Sequence, residues 1–297
     1  MSKTKIEWAT DVYNPVTGCS KISEGCKFCY AERMAKRLAG SYGYPADEPF
    51  RVTLHEDRLE QPLSWMRPRR IFVCSMGDLF HQNVPDSYIS TVFAVMSLTP
   101  QHIYLVLTKR AERMKAYLDE MTKDPEAYCY AWRDTLDLEI FKNQNLQPLR
   151  TWPLPNVWLG VSVENQSVAD VRIPLLVTTP AVIHFVSCEP LLDKVDLAIE
   201  GWNYGIDHET WSERIKWVIA GDETGPNARP TNPDWVRSLR DQCKRSDTPF
   251  FFKRWGDKLW GMDKPSPLSS HQRRLLDGEI WDQYPIVKTE LAEDKTR

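Results

Sequence analysis

Six short apolar runs recur along the chain, and each stops in a polar or glycine-bearing cluster: RIFVCSMGD (70–78), HIYLVLTKR (102–110), VWLGVSVEN (157–165), VIHFVSCEP (182–190), WVIAGDETG (217–225) and PFFFKRWG (249–256). Their length and unbroken hydrophobicity suit strands buried on both faces, as in a parallel sheet. Between them the apolar spacing becomes helical. In DSYISTVFAVMSL, Ile89, Val92, Phe93 and Met96 share a face, with Asp86 as N-cap and Pro100 beyond the end. AERMKAYLDEM repeats the spacing with Met114, Tyr117, Leu118 and Met121. NPDWVRSLRDQC opens with Asn232 as N-cap and Pro233 at the first helical position, where its missing N–H costs nothing.

Strands alternating with helices predict an α/β fold with a parallel sheet. With KIEWATDVYNP as a weaker first strand the count is about six or seven, fewer than a closed eight-fold barrel needs, so the expected architecture is a partial parallel (β/α)6-type barrel. Small insertions are expected at about 122–156 and 200–216. Periodicity fades from about Pro265, and about 286–297 is expected as a mobile tail on a single domain spanning 1–297.

Composition adds few constraints. With 42% apolar and 27% charged residues the chain is ordinary for a soluble protein, and no run approaches the roughly 18 apolar residues of a membrane span. MSKTKIEWAT lacks an apolar signal core, and seven cysteines, an odd number, do not suit a disulfide framework, so a reducing cytoplasm is expected. A net charge of -3 gives no global footprint for nucleic acid, although RPRR (67–70), KRAERMK (109–115) and QRR (272–274) are local basic clusters. Twelve tryptophans are unusual, and packing is their first explanation, ahead of an aromatic-lined cleft.

The chemistry is concentrated in GCSKISEGCKFCYAERMAKRLAG (18–40). Cys26 and Cys29 form a C-x-x-C pair whose sulfurs can converge on one metal or cluster, and Gly18 and Gly25 ease the backbone into a tight loop before two of the cysteines. A structural zinc site needs a fourth ligand, and none follows at finger spacing; His81 or Cys74 would have to supply it from another element. That zinc-stapled form would be a nucleic-acid- or protein-binding module. Three thiolates on a four-iron cluster instead leave one iron open to a small molecule. The polar ends of the apolar runs form a second feature, because ligands of parallel α/β folds bind at the carboxyl ends of strands.

The cysteine arrangement resembles the radical S-adenosylmethionine superfamily. That resemblance implies a [4Fe–4S] cluster on Cys19, Cys26 and Cys29, S-adenosylmethionine completing its coordination, and a reductant such as flavodoxin or ferredoxin. Phe28 stands where the superfamily has an aromatic residue and would lie against the adenine. The spacing departs from the common pattern, with six residues rather than three between Cys19 and Cys26. More narrowly, EWATDVYNPVTGC, GCKFCYAERMAKRL, SMGDLFHQNVP, LTKRAERM, NVWLGVSVEN, SCEPLL, AGDETGPNARP and FFFKRWG look like an uncharacterised family common in phages and prophages.

The superfamily resemblance distributes roles over the strand ends. Met76, Gly77 and Asp78 would receive the methionine amino group; Ser162, Glu164 and Asn165 would meet the ribose hydroxyls; Gly221 would let the adenine approach the backbone. Lys109 and Arg110 bring positive charge to the mouth, for a phosphate, a carboxylate or a pairing with Glu164 or Glu189. Glu189, Asp222 and Glu223 would contact substrate or balance such cations. Cys74 and Cys188, with Lys109, are the candidate catalytic groups, since a thiol can donate a hydrogen atom to a radical; a buried cysteine is otherwise a small hydrophobe. Cys129 and Cys243 are expected to pack. The substrate expected is nucleic acid, through base modification or repair.

Overall fold

The computed structural model describes residues 4–124, 151–197, 214–262 and 266–286. Seven strands form one sheet in chain order: β1 (Asp11–Tyr13), β2 (Arg70–Val73), β3 (Ile103–Thr108), β4 (Val157–Ser162), β5 (Ile183–Cys188), β6 (Ile215–Ala220) and β7 (Phe250–Phe252). Every neighbouring pair is parallel. β1 and β7 are the two edges, and Trp8 reaches both Phe72 of β2 (4.6 Å) and Trp217 of β6 (6.4 Å), so the sheet curls into a partial barrel, as expected, with the weak first strand included.

Helices α1 (Tyr30–Arg37), α2 (Asp86–Leu98), α3 (Ala111–Lys123), α4 (Gln166–Val177) and α5 (Pro233–Arg245) follow β1, β2, β3, β4 and β6. α3 buries the expected Met114, Tyr117, Leu118 and Met121. Asn232 caps α5 by accepting the Asp234 N–H at 3.0 Å. Two details differ from expectation. Pro85 occupies the N-cap of α2, making Asp86 its first helical residue, and this helix is buried on nearly every side. α4 was not foreseen, and Pro174 lies inside it, where a proline ordinarily breaks a helix.

The expected insertions and tail lie largely outside the described residues. Within them, α3 extends to Lys123 and β6 already begins at Ile215, so the second insertion ends earlier than 216. The stretch beyond Pro265 does have structure. Leu275–Leu276 and Glu279–Ile280 form a small hairpin, and Asp282 then bridges to Phe251 of β7. Among the described residues no helix is long and apolar enough to cross a membrane.

Strand alternation sorts the core into two layers. Ile71, Val106, Leu159, Val186, Val218 and Phe252 face the helices and join their side chains in one large cluster. The intervening residues face inward, where Leu105, Trp158, Phe185, Trp217, Ile219 and Phe251 form a second cluster with Trp8. Trp217 is the hub, with ring centroids 5.3 to 6.4 Å from Trp8, Trp158, Phe185, Phe251 and Tyr284. Its Nε1 donates to the Gln283 carbonyl at 2.9 Å, which ties the C-terminal segment to the barrel interior. Gly160 is required here: a Cβ would lie 2.4 Å from the Phe185 ring. These tryptophans are packing residues, as their first explanation held.

Trp217→Ala should therefore cost about 3–5 kcal/mol in urea unfolding, the range for emptying a large aromatic site. Met66→Ala, at a side chain 85% exposed, should stay within about 0.5 kcal/mol. Equal effects would show that the inner cluster is not the stabilising layer.

Candidate functional site

The chain leaving β1 builds one wall of the mouth. Asn14 Oδ1 accepts from the Ser75 hydroxyl and the Met76 N–H, both at 3.1 Å, which joins the ends of β1 and β2. Val16–Thr17 then pairs antiparallel with Thr53–Leu54, and Gly18 bridges in parallel to Gly77. Gly18 has φ +80°, and a Cβ on it would meet the Arg51 carbonyl oxygen at 2.1 Å, so only glycine fits before the first cysteine. A Cβ on Gly77 would sit 3.0 Å from the Val16 and Gly18 carbonyl oxygens. The glycine of SMGD thus lets the cysteine loop lie against the end of β2.

Cys19, Cys26 and Cys29 are all free and half-buried. Cys26 ends a short 3-10 turn (Glu24–Cys26), its sulfur 3.7 Å from the Ser23 hydroxyl, and Cys29 is the N-cap residue of α1. Burial, with Asp78 adding to it, pushes the Cys19 thiol up to about 11 while Arg110 pulls the other way. Burial raises Cys29 too, opposed by the N–H groups of Glu32 and Ala31 at the start of α1. Thiols held neutral in this way bind metal by releasing protons. The donor set, three soft sulfur ligands beside a guanidinium, fits an iron–sulfide cluster in kind. Among the described residues no group of three or more His, Cys, Asp or Glu is placed to hold a single metal ion. Of the two groups that would complete a zinc site, His81 already has its Nε2 2.8 Å from the Ser20 hydroxyl, and Cys74 is buried.

Asp78 is 5% exposed and anchors the loop's far side. Its carboxylate accepts from the Phe80 N–H (3.0 Å), the Thr108 hydroxyl (2.7 Å), the Lys109 N–H (3.3 Å) and Arg110 (2.9 Å). Arg110 therefore pairs with Asp78, a partner the sequence reading did not name.

Glu164 lies just past β4, fully buried at 0% exposure. Lys109 Nζ bonds it, the Ser23 hydroxyl donates to it at 2.7 Å, and Arg172 of α4 donates at 3.1 Å. Burial pushes its carboxyl up, but Lys109, Arg172 and Ser23 outweigh burial and leave it below its ordinary value. Gly25 makes the contact with the cysteine loop feasible, since a Cβ there would lie 2.4 Å from Glu164 Cγ. Glu189, beyond β5, forms a second node, accepting from Trp8 Nε1 at 3.0 Å and Lys253 Nζ at 2.5 Å. Gly221 sits between them, its absent Cβ 3.2 Å from Lys253 Cβ and 3.4 Å from Glu189 Cγ.

Phe28 lies beneath the Arg229 guanidinium, 5.4 Å from ring centroid to carbon. Arg229 also bonds Glu24 and grips Glu223, so the loop after β6 reaches the cysteine loop through it. Asn165 spends its side-chain oxygen capping α4, accepting the Val168 N–H at 3.1 Å. Ser162 is buried in line with Glu164, and the Met76 carbonyl accepts the Gly18 N–H.

Cys188 stands apart from the other candidates. Ser187 and Glu189 point inward, so Cys188 faces the helix layer, fully buried beside Cys243 of α5, and burial drives its thiol far up. The hydrogen-donor role foreseen for it needs a thiol on the inner face, and alternation along β5 turns it away. Cys74 has φ +58°, is 3% exposed, and lies close enough to Cys19 and Asp78 for their charges to raise its thiol after burial does. Cys129 lies outside the described residues.

Several residues of the basic clusters have partners within the chain. Arg69 pairs with Asp11 and Arg70 lies over the Tyr284 ring, both at the amino ends of the strands. Arg113 bonds Asp86, Lys115 bonds Asp119, and Arg273 bonds Asp257. Sequence reasoning missed Ser23, Arg172, Arg229, Lys253 and the polar end of Trp8. Of these, Lys253 carried the plainest signal, as the charged residue directly after the apolar Phe250–Phe252 run.

An open parallel α/β partial barrel with a three-cysteine loop at the carboxyl end of its first strand is the class that fold and site define. Residues 3–285 match the family model described as "Protein of unknown function (DUF5131)", and the chain belongs to that family. No curated protein matches the sequence. Among solved structures, a cysteine-to-serine variant of spore photoproduct lyase aligns with TM-score 0.43 at 10% identity, covering 86% of this chain and 78% of that one. Spore photoproduct lyase complexed with dinucleoside spore photoproduct aligns with TM-score 0.40 at 10% identity over the same shares.

Two measurements probe the electrostatics. Arg172→Leu strips one partner from a fully buried carboxylate and should cost about 3–5 kcal/mol in urea unfolding, whereas a loss below about 1 kcal/mol would show that Lys109 suffices. Asp222 is pushed up to about 7 by burial, with Glu223 adding to it and bonds from Gly256 and Thr231 opposing. A folded value above the ordinary 3.8 gives stability present at low pH and lost as pH rises to about 7. Asp222→Asn should therefore gain on the parent protein as pH rises through that window; a pH-independent difference would disprove the raised value.

Proposed function

We propose that this chain is an iron–sulfur enzyme that binds S-adenosylmethionine at the carboxyl mouth of its partial barrel and uses it for radical chemistry. The observation carrying this reading is the loop itself: three free, half-buried thiols following β1, packed against the end of β2 and over Glu164. Cys19, Cys26 and Cys29 would hold the cluster. When bound, a cluster with one open iron supplies the electron that cleaves S-adenosylmethionine to methionine and a 5′-deoxyadenosyl radical.

The protein's own groups serve that chemistry by position. Trp8, Trp158, Phe185 and Trp217 floor the inner face and exclude water from below. Above them Lys109 and the Lys253–Glu189 pair stand where a polar substrate would lie, and the buried Glu164 fixes Lys109 in place. Asp78, saturated by four donors, serves first to hold the loop. The net charge of -3 gives no global footprint for duplex binding, so a substrate screen begins with nucleotides and short single strands rather than duplexes, whose binding rests on phosphate neutralisation.

The test is anaerobic reconstitution with iron and sulfide, followed by electron paramagnetic resonance of the reduced protein with and without S-adenosylmethionine. The expected result is a reduced-cluster signal that changes when S-adenosylmethionine is added and disappears in Cys26→Ala. Stoichiometric zinc with no iron cluster would overturn the reading.

A further inference from the structure

Arg110 is placed unlike any other cation described around the mouth. Its NH1 donates to Cys19 Sγ at 3.3 Å and to Asp78 Oδ2 at 2.9 Å, while its NH2 donates to the Ser20 carbonyl at 3.1 Å and the Ser20 hydroxyl at 3.0 Å. Asp78 is itself immobilised by Thr108 and two backbone N–H groups, so the guanidinium is locked in orientation. Its side chain is only 12% exposed, where solvent screens its charge weakly. A planar fork is needed to reach sulfur, carboxylate and hydroxyl together, which a lysine ammonium does not offer.

We infer that Arg110 tunes the redox poise of the cysteine-held centre, and this rests on the iron–sulfur reading above. Reduction places one electron from a low-potential donor on the cluster and makes it more negative by one charge. A fixed cation hydrogen-bonded to a sulfur ligand stabilises that reduced form more than the oxidised one and raises the midpoint potential. Asp78 acts in the opposite sense, as a negative charge close to the same sulfur. Arg110 is thus a positioning and tuning residue, distinct from a latch that only holds the long Cys19–Cys26 loop.

The experiment reconstitutes the full chain anaerobically as parent, Arg110→Gln and Arg110→Lys, and measures iron and sulfide per chain. Each protein is then titrated with dithionite under electron paramagnetic resonance. Arg110→Gln should keep the parent's iron and sulfide but show a more negative midpoint, with Arg110→Lys between the two. A loaded Arg110→Gln with the parent midpoint would overturn the inference and leave Arg110 a latch. Should Arg110→Gln load poorly, Arg110→Lys decides: a midpoint more negative than the parent's supports tuning, and an unchanged or less negative one overturns it. A parent protein that takes up iron and sulfide while the variants leave the midpoint untouched sinks only the tuning. Absence of any cluster in the parent sinks the functional reading and the tuning with it.

Discussion

The mouth of this protein depends on one buried carboxylate. Glu164 is wholly removed from water, and an ionised carboxylate survives there only because Lys109, Arg172 and Ser23 surround it. Those partners come from the end of β3, from α4 and from the cysteine loop. The cost of burying the charge thus becomes a positional constraint on three separate pieces of chain. Gly25 completes the arrangement, because any side chain there would strike Glu164 and lift the loop.

A second arrangement holds the opposite side of the mouth. Glu189 gathers Trp8 from the N-terminal segment and Lys253 from the end of β7, while Arg229 bridges the β6 loop to Glu24 beneath the cysteines. Trp8 links this polar ring to the apolar floor, since its ring packs 4.6 Å from Phe72 while its Nε1 reaches Glu189. The inner face is therefore dry below and charged above. That division follows from strand alternation, which turns every second residue inward, apolar within the strands and polar just beyond them.

Much of the fold was legible in the sequence because burial on both faces writes continuous apolar runs. Each of the six runs became a strand of the sheet, and α3 and α5 carried spacing and capping signals that the structure repeats. α4 was not foreseen, and its Pro174 stands where a proline ordinarily breaks a helix, while Asn165, its cap, had been read as ligand chemistry. The site was less legible. Cys19, Cys26, Cys29, Asp78, Glu164 and Glu189 do gather at the strand ends, but Cys188 faces the helix layer and Gly77 admits neighbouring backbone.

The sequence by itself determined the alternation of strands and helices, the parallel sheet and the three-thiol loop, because these depend on residue spacing and local backbone preference. Only the tertiary structure decided how the charges pair. Arg110 bonds Asp78 and Cys19, while Lys109 takes Glu164 with Arg172. Electrostatic partners are chosen by distance in space and by the loss of water around them, and neither is written in the order of residues along the chain.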